Sequence, residues 1–115
     1  MSTPIAAATL ARLTQPGLVA QWARMVDYLA RQPVTDDEFV ADLLVRHEIA
    51  QRLRAKPTTL ETREMLAEID EHFREITREA MPQDASGCVA GEARATAEGW
   101  SAGREWYFWR ALRGD

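Results

Sequence analysis

VTDDEFVADLLVRHEIAQRLRAKPTTLE, residues 34–61, is the stretch on which the fold turns. Thr35 is placed to cap a helix, with Glu38 three residues on as its capping-box partner and Val34 and Phe39 as a hydrophobic staple. Asp36, Asp37 and Glu38 put negative charge on the first turn. Arg52, Arg54 and Lys56 put positive charge on the last, so both ends match the helix dipole. The reading is a helix over residues 36–55 whose inward face carries Phe39, Val40, Leu43, Leu44, His47, Ala50 and Leu53. Lys56-Pro57 stop it. Thr58 and Glu61 repeat the capping pattern, and Leu66, Ile69, Phe73, Ile76 and Ala80 mark the buried stripe of a helix over 59–80. A connection this short between two long helices folds them back antiparallel. On the outer face, Asp70 with Arg74 and Glu75 with Arg78 are spaced as supporting pairs. Seven acids against three arginines leave residues 59–80 with a local charge of −4.

Toward the N-terminus, Leu18, Trp22, Met25 and Leu29, flanked by Val19 and Val26, give a buried stripe over 16–31 that Pro33 ends. Thr3-Pro4 open a shorter helix over 4–13, and Pro16-Gly17 break it. Toward the C-terminus, Met81-Pro82 close the helix over 59–80, and residues 82–87 read as a linker. Helical pieces follow over 87–98 and 103–113, separated by a glycine-weakened stretch. Ala, Leu, Arg and Glu dominate, with six Val, four Ile and no Asn-Gly or Asp-Gly hairpin signal. The expected fold is all-α, a four- or five-helix bundle with an aromatic-rich C-terminal helical segment packed across it. One helical domain covers residues 1–115.

At 115 residues, with 46% apolar side chains, the chain has material for one modest core. Fourteen basic against 18 acidic residues give a net charge of −4, which argues against a polybasic nucleic-acid arm. No apolar run approaches the roughly 18 residues of a membrane span, and no basic region followed by an apolar one opens the chain as an export signal. Cys88 alone makes no internal disulfide and reads as a small buried filler. The expected location is therefore cytoplasmic. Arginine supplies all basic charge but Lys56, and asparagine is absent, as in proteins of GC-rich bacterial genomes. No glycine-rich phosphate loop is present, and Ser86 and Ser101 lack the context of a nucleophile elbow.

The unusual feature is Trp106-Tyr107-Phe108-Trp109, preceded by Trp100 and flanked by Arg104 and Arg110. On an α-helix successive residues lie about 100° apart, so four rings in a row spread around most of the circumference and share no single buried stripe. Some rings meet the bundle, and the remainder meet solvent, a second chain or a ligand. Trp, Tyr and Arg are also the residue types that concentrate binding energy at interfaces. Trp100, Arg104, Trp106, Tyr107, Phe108, Trp109 and Arg110 are therefore the candidate partner-binding residues. The alternative is a structural one, in which the segment lies across an open groove and closes the core with both its sides. Gly99 and Gly103 read as a flexible joint before it, or as a place of close backbone approach.

Two histidines invite a second reading. Antiparallel pairing about Pro57 places Asp42 near His72, and Glu68 near Arg46 and His47, so a site of His47, Glu68 and His72 can be drawn for zinc or iron. The two imidazoles are nevertheless offset by about five residues, roughly 7.5 Å of helix rise, and no His-Glu-x-x-His or paired Glu-x-x-His motif occurs. A histidine bonded to a carboxylate at the core margin is the simpler account. The functional expectation is a small soluble non-enzymatic interaction module of inhibitor, immunity, antitoxin or regulatory type. It docks onto a protein partner or a second copy through the aromatic segment or the acidic helix over 59–80, without catalytic residues, metal or cofactor. Alternatives are a small helical enzyme or ligand- or metal-binding protein with a site near His47 and His72, and nucleic-acid binding by the Arg/Trp segment.

Overall fold

The computed structural model describes residues 14–82 and 92–113, with all their side chains except those at 36, 37, 92 and 93. The helix expected over 4–13, most of the linker and Cys88 lie outside the described residues. Three long helices make the body: α1 (Gln15–Arg31), α2 (Asp36–Ala55) and α3 (Leu60–Ile76). A short strand β1 (Thr77–Glu79) follows directly, then α4 (Glu92–Glu98), a 3₁₀ turn (Trp106–Trp109) and β2 (Arg110–Leu112).

Local chemistry explains the helix ends. The Thr14 hydroxyl accepts from the Gly17 N–H at 3.3 Å, with Pro16 in the first turn where its missing donor costs nothing. The Thr35 hydroxyl accepts from the Glu38 N–H at 3.2 Å, and Glu38 Oε1 sits 3.4 Å from that hydroxyl. At α3 the cap is Thr59, one residue later than the sequence pattern indicates, accepting from Thr62 at 3.2 Å. The last helix ends in a Schellman arrangement: Gly99 takes φ +72° while the Trp100 N–H reaches the Ala95 carbonyl at 2.9 Å. Gly99 is thus a helix stop, where the sequence reading has a flexible joint.

α1 packs against both α2 and α3, and the 3₁₀ turn packs on α2. α2 is consequently buried around nearly its whole circumference, including Ala41, Asp42, Val45, Arg46 and Ile49, outside the stripe its sequence suggests. Leu44, His47, Ala50 and Leu53 of that expected stripe are only partly buried. A helix with neighbours on several sides has no outer face to keep polar. Trp22 and Phe73, both at 0% exposure, lie with ring centroids 5.0 Å apart at the centre, and Phe39 stacks on Phe73.

Two expected helices give way to strands, so the chain is mostly helical with one small antiparallel sheet. The helix expected over 59–80 ends at Ile76, where the Thr77 hydroxyl donates to the Phe73 carbonyl at 2.7 Å. Residues 77–79 then pair with 110–112, Thr77 opposite Leu112, Arg78 opposite Ala111 and Glu79 opposite Arg110. The helix expected over 103–113 is replaced by the 3₁₀ turn and β2. A 3₁₀ turn has three residues per turn, so Trp106 and Trp109 eclipse on one side while Tyr107 and Phe108 are directed elsewhere. No helix among the described residues is long and apolar enough to cross a membrane.

Candidate interaction surface

The C-terminal segment has two faces with different chemistry. The inner face is Tyr107 and Phe108, exposed by 0% and 1%. Tyr107 reaches His47 on α2, with 2.7 Å between its hydroxyl and Nδ1. Burial pushes the phenol above its ordinary value, and burial together with Arg54 lowers the imidazole despite the opposing Glu105. The contact joins the phenol hydroxyl to Nδ1, and the imidazole tautomer sets which of the two donates. Trp100 and Phe108 complete the box around His47, with centroids 5.1 and 5.2 Å from it, and stack on each other at 4.1 Å. Removal of the hydroxyl in Tyr107→Phe is expected to cost about 1 kcal/mol in denaturant titration. It should leave the surface beyond the segment unchanged. Full wild-type stability in that variant would show that the 2.7 Å contact contributes nothing.

Beneath Tyr107 lies a buried ionic network. Arg46 Nε and Nη2 donate to the two Asp70 carboxylate oxygens, each at 2.9 Å, and the Trp22 indole N–H donates to Oδ1 at 3.0 Å. The Arg46 guanidinium is also 5.0 Å from the Tyr107 ring centre and 5.8 Å from that of Trp106. Its Nη1 has no hydrogen-bond partner among the described residues, so these rings take the place of one. Asp70, expected on the outside of its helix beside Arg74, instead points inward, and Arg74 approaches Glu71 at 3.9 Å. The network ties α1, α2 and α3 together, with Arg46 and Asp70 both buried.

The outer face is a cleft of about 540 Å³, lined by Arg74, Glu79, Ala80, Met81, Ala102, Trp106, Trp109 and Arg110. The Arg74 guanidinium lies 3.9 Å from the centre of the Trp106 ring. Arg110 is fixed by the backbone: Nε donates to the Thr77 hydroxyl at 3.0 Å, and Nη2 to the Arg74 and Thr77 carbonyls, each at 3.0 Å. Met81, 57% exposed, stands at the rim.

Of the seven candidate residues, Trp106, Trp109 and Arg110 meet in this cleft, while Tyr107 and Phe108 belong to the core. Trp100 stacks on Phe108 outside the cleft lining. Arg104 is spent within its own turn, donating to Glu105 at 2.7 Å and to the Gly99 carbonyl at 2.8 Å. Burial alone raises the Glu105 carboxyl, but the Ser101 N–H and the Arg104 and Arg54 guanidiniums outweigh it and hold the group below its ordinary value. Arg74, Glu79, Ala80, Ala102 and Met81 escape the sequence reading because the pairing of β1 with β2 brings most of them to the aromatic segment. The one local signal is Arg74 in the last turn of α3.

The histidine site does not assemble. His47 turns to Tyr107, whereas Glu68 and His72 are exposed on the outside of α3. Among the described residues no three His, Cys, Asp or Glu side chains are grouped to hold a metal ion. Comparison of the chain with protein families, curated proteins and solved structures finds no match.

Proposed function

We propose that this chain is a non-enzymatic protein-interaction module that docks its partner at the cleft formed by Trp106, Trp109, Arg74 and Arg110. One observation carries the reading: the 3₁₀ turn leaves two indoles, eclipsed and partly exposed, beside two ordered guanidiniums in an open cleft. Such a grouping of Trp and Arg around a concavity is the composition of an interface hot spot. The outside of α3 adds a ridge of Glu61, Glu64, Glu68, Glu71 and Glu75, all exposed at 3-4 spacing. That ridge repels phosphate backbones and steers the approach of a partner. It weighs against the nucleic-acid reading of the same arginines.

The test is the double variant Trp106→Ala/Trp109→Ala, compared with the parent chain in affinity capture and in light scattering. Loss of the retained partner, or of a scattering mass above that of one chain, is expected while far-ultraviolet dichroism stays helical. Unchanged association together with reduced stability would reduce the segment to a structural cover over the core.

A further inference from the structure

The charge around the cleft specifies what it accepts. Arg110 makes all three of its hydrogen bonds to neutral oxygens, the Thr77 hydroxyl and the carbonyls of Arg74 and Thr77. No carboxylate among the described residues comes within ion-pair distance of it. Its cross-strand neighbour Glu79 shares the cleft without forming such a pair. The Arg74 guanidinium sits over the Trp106 ring, and its one acidic contact among the described residues, Glu71, is at the 3.9 Å edge of ion-pair range. Among the described residues, two guanidiniums against one carboxylate leave the cleft net positive in a chain whose charge is −4. Both cations are held in place by the fold, so ordering them costs little when an anion arrives. The indoles beside them offer flat apolar surface at the same depth.

We infer that the cleft receives a partner segment in which an acidic side chain adjoins an aromatic one. Its carboxylate meets the donors of Arg74 and Arg110, and its ring lies against Trp109. This rests on the proposed docking role and adds the chemistry of the docked segment. Carboxylate recognition by guanidinium is directional and charge-assisted, and a cation held over an indole face keeps that attraction while its N–H donors meet an anion. The exposed glutamate ridge of α3 repels the same segment from that face of the molecule.

The probe is a short blocked peptide alternating aspartate and phenylalanine, with a lysine-for-aspartate peptide as its control, followed by tryptophan fluorescence. Saturable change with the acidic peptide and none with the basic one is expected. Arg74→Met, which keeps an apolar stem over Trp106, should weaken binding by about tenfold, the scale of one charge-assisted hydrogen bond. Arg74→Glu should reverse the preference, and Trp109→Leu should weaken binding of the acidic peptide while leaving its salt dependence in place. Equal response to the two peptides, or no saturation with either, overturns the inference. The docking role is judged separately by the double tryptophan variant. Capture lost in that variant without a preference for the acidic peptide would keep the docking surface and discard its acidic partner.

Discussion

Asp70→Ala is expected to destabilise the fold by about 3–5 kcal/mol, the usual cost of removing one partner from a buried ion pair. The substitution strands the Arg46 guanidinium at 7% exposure and frees the Trp22 indole N–H in the core. Against a total stability of roughly 5–15 kcal/mol for a domain of this kind, such a loss brings the chain close to unfolding at room temperature. Asp70→Asn keeps an acceptor for Trp22 and should fall between the two. The double variant Arg46→Met/Asp70→Leu removes both charges and should recover most of the loss, because the penalty comes from an unpaired buried charge. Denaturant titration of the parent, Arg46→Met, Asp70→Leu and the double variant closes a mutant cycle. A loss below about 1 kcal/mol for Asp70→Ala would mean that water reaches Arg46 and that the network is peripheral.

The second large effect runs the opposite way. Asp42 is 1% exposed, and its Oδ2 has no hydrogen-bond partner among the described residues. Burial, and then the neighbouring Glu38, push its carboxyl up from 3.8 to about 7. Between those values the folded chain keeps a proton that the unfolded chain has released, so stability from this group falls as pH rises through the window. Below pH 3.8 the side chain is neutral in both states and carries no penalty, and above about pH 7 the penalty is complete. Asp42→Asn should therefore stabilise the protein by roughly 2–4 kcal/mol at pH 8, since each decade of displacement is worth about 1.4 kcal/mol. At pH 4 the gain should nearly vanish. Melting curves of the two chains across that range check it. An Asp42→Asn difference that stays constant with pH would place the ionisation of Asp42 outside the stability balance.

Both predictions concern residues whose roles are hidden in the sequence. Asp70 occupies an i,i+4 spacing with Arg74, which reads as a surface pair, and only the way α1, α2 and α3 meet turns it inward to Arg46. The antiparallel register about Pro57 comes close, bringing position 68 beside Arg46 where the structure brings position 70. A shift of two residues on a helix turns the side chain by about 200°, enough to exchange a surface glutamate for a buried aspartate. Asp42 falls on the flank of an apparently amphipathic helix and is buried because that helix has neighbours on several sides.

The cleft shows the same division. Excess aromatic surface is visible in four consecutive rings, since no regular α-helix buries them along one stripe. Which rings turn outward depends on the change from 3.6 to three residues per turn.

What the sequence by itself determined is local: the extents of α1 and α2 to within a residue, the Thr35 cap of α2, and the places of Trp22 and Phe73 in the buried stripes of α1 and α3. Caps, prolines and apolar periodicity act over three or four residues and need no distant partner. Tertiary structure decided the pairing of β1 with β2, the partner of Arg46 and the meeting of Arg74 with Trp106. Each joins positions 24 to 35 residues apart. Apart from Thr77, the side chains of β1 and β2 favour helix, and the hydrogen bonds each finds across the fold override that local preference.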